Sequence, residues 1–516
     1  MPNEQGGANT EASWFAPAGT QSSPARIGLG FALVLLTAAA LFAGLFQEAF
    51  YSIDPPIFAE IYPAAVRDGT GWPNHHHLHF LAWRVAFAAS GDVYGSFDAA
   101  SIIPAALAAA GLWLFLVRRR GASPLVAALL TGAVAGCAPV FFFATTIEVH
   151  ALQWLAAVVA LWPIDVAIRA SNAVWRWAAI VSAGALLLLG HPLHALLLPF
   201  VAFHIALHGR PRNEPARRTA IRFAAIGVCF GILATLRYME VQARMGWSPE
   251  TLETWGAGSR LPLLAHDLWA YLLRAHVAVL PVLALYMARG LDGADGGRVR
   301  VASLFLWFVP LTAFVAYLGL FEAGGYFVAL GTLWVALLGR DSVEALGRVR
   351  AVRFWLVPPA FAAALALSAL ASGALGLRQA HDPPVGPAER EALEFVRSQV
   401  PAEGRLVCFD ANLARALRQR SRRSVTGELE RVLATVSETL DGHLFDEYRR
   451  GIKHDLARGS LIWFFRPEPL PAGRDPRRTR LEERFEAWIT ADLGAEAQNL
   501  NGARVWGPVR SAQKGP

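Results

Sequence analysis

Between residues 54 and 79 the chain gathers Asp54, Glu60, Arg67, Asp68, Trp72, Asn74, His75, His76, His77 and His79, with Pro55, Pro56 and Pro73 among them. The apolar stretches on either side are mostly Ala, Leu and Val, so chemistry has to be sought here. A carboxylate held near a hydroxyl can take its proton, and Asp54, in Ser-Ile-Asp-Pro-Pro-Ile, is the candidate base. The plainer reading of Asp54 is a loop-capping acid beside two prolines. His75 and His79 are four apart and would share one helix face, a metal-ligand spacing, whereas His76 and His77 point elsewhere. No carboxylate completes a ligand set at a fixed offset. Contacts to a phosphate or a sugar, or an aromatic-like role at a membrane interface, suit the same rings, so the metal stays unknown and a divalent cation stays open. Glu60 is the next acid in the stretch and joins His75, His76 and His79 as a candidate substrate contact.

Further reactive residues lie where apolar segments meet. Glu148 and His150, in Thr-Thr-Ile-Glu-Val-His-Ala-Leu, occupy a very short turn between two such segments. An uncompensated charge there is costly, which makes Glu148 a second candidate catalytic acid or else half of a structural ion pair. His191 and His194 flank Pro192 at a helix end, as site-lining groups or as interhelical hydrogen-bond partners. Arg237 closes another apolar run beside Tyr238 and is placed to hold a phosphate. Trp72, Trp83 and Trp255 fit interface anchors or sugar platforms equally.

Composition sets the frame that must position these groups. The chain has 516 residues, 54% of them hydrophobic and 17% charged, which indicates a polytopic membrane protein and excludes an ordinary soluble enzyme. Eleven apolar spans are predicted, at roughly 27–47, 99–117, 124–144, 148–168, 174–190, 192–208, 222–239, 263–288, 301–320, 326–339 and 354–376. The net charge of +7 is spread over short loops, so nucleic acid is not an expected partner. Basic residues fall in alternate loops: Arg118 to Arg120, Arg169 and Arg176, Arg210 to Arg222, Arg289 to Arg300, and Arg340 to Arg353. The acids and histidines fall in the others. This predicts a cytoplasmic N-terminus and an outward-facing reactive loop in a bacterial plasma membrane. The three cysteines allow neither a disulfide framework nor a zinc spacing.

Residues 1–26 are expected to be a disordered cytoplasmic tail, 27–377 the transmembrane domain with a first outer loop at 48–98, and 378–516 an extracytoplasmic α/β domain. In the outer loop, Asn74 is predicted to N-cap a surface helix reaching about Ala89. A second surface helix is expected at Pro262 to Ala275. In the tail domain a helix at Glu389–Gln399, strands at Arg405–Phe409, Leu461–Phe465 and Ala503–Trp506, and a helix at Asn412–Arg420 give a small α/β fold, in which Asp410 is the one residue of chemical interest.

This arrangement resembles the GT-C superfamily of membrane glycosyltransferases, and its Thr-Thr-Ile-Glu-Val-His segment is similar to bacterial proteins related to protein O-mannosyltransferases. The resemblance rests on an acid just beyond the first helix, a long first outer loop with a surface helix, the Pro-Asn-His-His-His-Leu stretch and the second acid, Glu148. The superfamily's paired first-loop acids are replaced here by Asp54-Pro55, with Glu60 following. The resemblance implies about eleven transmembrane helices with a C-terminal soluble α/β domain. It also implies inverting transfer of a hexose or pentose from a polyprenyl-phosphate carrier to a lipid, glycan or protein acceptor, with membrane lipids as surroundings. A phosphate is already a good leaving group, so one base plus hydrogen-bond donors suffices. The alternatives are a transporter or flippase, or a non-enzymatic subunit of an envelope polysaccharide assembly system. Against transport, the ionisable residues collect at one face and no half-repeat is visible.

Overall fold

The computed structural model describes residues 23–45, 54–69, 76–146, 149–209, 215–245, 265, 268–288, 294–318, 322–339, 342–343, 346, 353–372, 387–401, 404–410, 413–414, 417, 424–426, 443–467, 476–500 and 503–509. The first element, α1 (Pro24–Gly44), starts where Ser23 accepts from the Arg26 N–H and Pro24 takes the first helical position. Two helices follow: α2 (Asp54–Asp68), in what the sequence suggested was open loop, and α3 (His77–Ser90), the helix expected to reach about Ala89. His76, not Asn74, occupies the N-cap position of α3, and it caps with no side-chain hydrogen bond. Gly91 ends α3 with φ +68, a left-handed conformation that suits glycine, and the chain turns into α4 (Val93–Arg120).

Next come α5 (Pro124–Ala135), α6 (Ala138–Ala144), α7 (His150–Arg169), α8 (Ala173–Gly190), a 3-10 turn at Pro192–Leu197, α9 (Leu198–His208) and α10 (Ala216–Met245). Residues Leu268–Leu273 and Arg274–Val279 form irregular π and 3-10 turns rather than the expected surface helix, and lead into α11 (Leu280–Ala288) and α12 (Ala294–Leu318). After a 3-10 turn at Glu322–Phe327 come α13 (Val328–Leu333), a π turn at Trp334–Leu338, a 3-10 turn at Phe354–Leu356 and α14 (Val357–Ala371).

The chain is a multi-pass membrane protein. Among the described residues six helices are long and apolar enough to cross a bilayer, α5 and α6 form a seventh candidate bent by 81°, and four apolar helices are shorter. The eleven predicted spans are therefore helical in their described parts, but several are broken. The break between α5 and α6 lies beside a close contact with α14. A Cβ at Gly132 would lie 2.5 Å from the Phe361 carbonyl oxygen, and one at Gly136 2.5 Å from that of Leu365. The two backbones touch through these glycines, and Ser368 Oγ donates across the seam to the Ala133 carbonyl at 2.7 Å.

At the end of α7 farthest from His150, Asp165 is 1% exposed and is ringed by Arg169 at 3.0 Å, Arg119 at 3.6 Å and Arg120 at 3.7 Å. Arg120 Nε also donates to the Ala336 carbonyl at 2.9 Å, which joins α4, α7 and the π turn at one point.

The C-terminal elements are α15 (Pro387–Gln399), β1 (Arg405–Cys408), β2 (Ser424–Thr426), α16 (His443–Ala457), β3 (Ile462–Pro467), α17 (Pro476–Leu493), β4 (Ala497–Leu500) and β5 (Ala503–Val509). They build a mixed sheet of order β2-β1-β3-β5-β4, with β1 parallel to β2 and β3, and β5 antiparallel to β3 and β4. Alternation splits β1 between two cores: Leu406 and Cys408 face the α15 side, while Val407 and Phe409 face Phe485 and Trp488 of α17. Asp410 has a structural task, since its carboxylate accepts from the Leu413 N–H at 2.9 Å and caps the turn after β1.

Removing the Asp165 charge leaves three guanidiniums facing one another, one of them buried. Asp165→Asn is therefore expected to cost about 3–5 kcal/mol, read as thermal unfolding in detergent; a Tm equal to the wild type's would remove the ring from the account of stability.

Candidate functional site

The reactive end of the bundle is built first on α2 and α3. Phe58 and Tyr62, one helical turn apart on α2, stack at 5.2 Å and present their rings to α3. His76, His79, Phe80 and Trp83 follow the helical repeat on the facing side. Tyr62 Oη and His79 Nδ1 are 3.0 Å apart, and the Phe58 ring lies 5.8 Å from His76 and 5.4 Å from His79. Trp83 is fully buried and donates to the Val93 carbonyl at 3.0 Å, so it is a packing residue of this subcore rather than an interface anchor or an open sugar platform.

A second layer comes from three other elements. His150 opens α7, with its ring 4.2 Å from Phe143, 5.6 Å from Tyr326 and 6.5 Å from His191. His191 ends α8 in an extended conformation, and its Nδ1 accepts from the Leu193 N–H at 3.1 Å. The same ring stacks on His76 at 5.8 Å and lies 5.2 Å from Tyr326 and 6.1 Å from His194. Glycine is required at 325, where a Cβ would fall 2.5 Å from His150 Nε2. Three segments that are distant in sequence, the start of α3, the start of α7 and the turn after α8, thus bring His76, His79, His150, His191 and His194 to one place.

The wall beside this cluster is an ion-paired relay. Arg237 donates to Glu240 at 2.6 Å, and the other Glu240 oxygen is 3.2 Å from His77 Nε2, which ties α10 to the start of α3. Arg237 joins the site region through this pairing. The side chains of Asp54 and Glu60, together with His75 and Glu148, lie outside the described residues. Among the described residues no three of His, Cys, Asp and Glu come together as a metal-holding group.

The residues that sequence reasoning missed are Tyr62, Glu240 and Tyr326. Tyr62 had a usable signal, since it lies four residues from Phe58 on an element that turned out helical. Glu240 had a weaker one, three residues after Arg237.

No family model matches the sequence, and no curated protein sequence is similar to it. The structure is similar to the crystal structure of ArnT from Cupriavidus metallidurans in the apo state over 94% of this chain and 98% of that one, with a TM-score of 0.50 at 14% identity. The chain therefore shares its overall fold with that ArnT structure. Weaker matches are ArnT from the same organism bound to undecaprenyl phosphate (TM-score 0.49, 13% identity, 95% and 98% of the two chains) and the Archaeoglobus fulgidus oligosaccharyltransferase in complex with zinc and sulfate (TM-score 0.44, 13% identity, 84% and 68%).

Burial and then the nearby His150 ring push the His79 imidazole down to about 3. The unfolded chain takes up a proton at His79 below about pH 6.5, whereas the native chain resists it until about 3. Stability tied to His79 is therefore complete above the unfolded value and is lost as pH falls through that window, at up to about 1.4 kcal/mol per pH unit. Melting curves between pH 7.5 and 4.5 are expected to fall less steeply for His79→Gln than for wild type, and equal slopes would show His79 to be protonated in the native protein. Gly325→Ala is expected to cost about 1–3 kcal/mol by overpacking, and adding His150→Ala is expected to restore part of that loss; strict additivity of the two would contradict the close approach.

Proposed function

We propose that this chain is a glycosyltransferase that moves a hexose or pentose from a polyprenyl-phosphate carrier to a lipid, glycan or protein acceptor. The observation that carries the proposal is the convergence of His76, His150, His191 and Tyr326 from separate elements at one end of a GT-C-like bundle. That end lies opposite the arginine-ringed Asp165. By the bias of basic residues toward the cytoplasm, the histidine end is proposed to face outward from a bacterial plasma membrane, with the C-terminal domain, residues 378–516, on the same side.

In this reading Asp54 is the general base. It is the first residue of α2, the helix whose Phe58 meets His76 and His79. The acceptor hydroxyl attacks the anomeric carbon and passes its proton to Asp54. The new carbon–oxygen bond forms as the bond to the carrier phosphate breaks, the phosphate leaves with the electron pair, and the anomeric centre inverts. The phosphate needs donors. His191 accepts a backbone N–H at Nδ1, so its neutral ring carries the proton at Nε2 and can donate to a phosphate oxygen. Arg237 adds positive charge near that wall. Glu148, two residues before His150, is proposed as the second acid, and Glu60 and His75 as further contacts.

The test is transfer of radiolabelled sugar from membrane lipid extracts by the purified protein. Asp54→Asn is expected to lower transfer by about 100-fold or more while leaving the melting temperature unchanged. Equal transfer by the two proteins would remove Asp54 from the mechanism, and no transfer from any lipid pool by folded wild type would sink the transferase reading.

A further inference from the structure

The geometry around His194 and Gln153 points to a subsite, behind His150, that binds hydroxyl groups of an uncharged sugar. The inference rests on the transferase reading above and narrows its donor class.

His194 settles the polarity of one group. Its Nδ1 lies 2.9 Å from the Leu187 carbonyl oxygen, which has no proton to give, so Nδ1 carries the hydrogen and donates. In the neutral ring Nε2 is then a bare lone pair. The ring is 1% exposed, and Nε2 has no hydrogen-bond partner. Gln153 supplies the complement. It lies three residues after His150 on α7, is 1% exposed, and has neither its amide oxygen nor its amide nitrogen hydrogen-bonded. The two residues sit on adjoining surfaces. A Cβ at Gly190 would be 2.8 Å from Ala156 Cβ and 3.4 Å from His194 Nδ1, so the end of α8 that carries the His194 turn rests on the α7 turn following Gln153. From there the rings of His191 and His150 lead back to the cluster at successive spacings of 6.1 and 6.5 Å.

An orphaned polar atom in a dry interior is costly, and two such residues flank the same contact between α7 and the end of α8. A ligand that satisfies them must donate to an imidazole lone pair and both donate to and accept from an amide. A phosphate oxygen cannot donate, and a carboxylate would face the His194 lone pair. An ammonium would donate but would bring a full charge against two neutral groups. A hydroxyl both donates and accepts, and a sugar presents several.

The experiment uses full-length protein in detergent. It measures affinity, by thermal stabilisation, for undecaprenyl phosphate alone and for the same lipid carrying glucose, galactose, mannose or arabinose, an amino sugar, or a uronic acid. At least one neutral sugar is expected to improve affinity over the bare lipid by about tenfold or more. Gln153→Leu is expected to remove that gain, to keep the affinity for bare undecaprenyl phosphate within about twofold, and to raise the ligand-free Tm, because the orphaned amide is replaced by an apolar group of similar size. A purely structural Gln153 would instead lower Tm on substitution. His194→Phe is expected to remove the same sugar-dependent gain. The inference is overturned if the gain survives both substitutions, if no neutral sugar adds affinity, or if a charged sugar binds more tightly than every neutral one. Failure of both the bare and the glycosylated lipid to bind would overturn the transferase reading itself, an outcome distinct from loss of the sugar increment alone.

Discussion

A single carboxylate, Asp165, between three arginines is the interaction on which the membrane part depends. Hydrocarbon offers no water to an ion, so a buried charge survives only with opposite charge and hydrogen bonds already in place. Here the ions are drawn from α4 and α7 and are tied to the Trp334–Leu338 turn through the Ala336 carbonyl. That fixes one end of the bundle. The other end of α7, about 22 Å away at 1.5 Å per residue, begins with His150, where the chain handles polarity in the opposite way: uncharged rings and amides replace ions.

That difference explains why so many histidines can be buried together. A neutral imidazole is half donor and half acceptor, and the backbone decides which half faces the neighbours. The Leu193 N–H assigns one arrangement to His191, and the Leu187 carbonyl assigns the reverse to His194, although only two residues separate them. Pro192 between them starts the 3-10 turn that puts the two rings 6.1 Å apart. The Arg237–Glu240–His77 relay contributes a charged wall where the cluster nears the start of α3, and Glu240 is the partly exposed member of it.

Much of this frame was legible in the sequence, because apolar run length and the placement of arginine report on bilayer crossing directly. The histidines at 76, 79, 150, 191 and 194 could be singled out because an imidazole among Ala, Leu and Val needs a reason. What was not legible depends on contacts between distant segments. Nothing near Gln153 in sequence says that its amide would be left without a partner, and Gly325 reads as a turn glycine until the His150 ring is seen in the space a side chain would fill. The stretch from Asp54 reads as a loop because it gathers polar side chains between two apolar spans, yet Pro55 and Pro56 in the first turn suit a helix start, and α2 also accommodates Pro63 internally. Trp83 reads by residue type as an interface anchor or a sugar platform, whereas its position on the buried face of α3 decides the matter.

The seam between α5 and α14 is made of backbone against backbone at Gly132 and Gly136. Most contacts between helices can drift over evolutionary time, since a larger side chain on one partner can be matched by a smaller one on the other. Glycine has nothing smaller to trade. At these two positions sequence change can run in only one direction, toward added volume, and the carbonyls opposite have no side chain to give up in exchange. The bend that separates α5 from α6 is thus anchored to a line of the protein that substitution can damage but not retune.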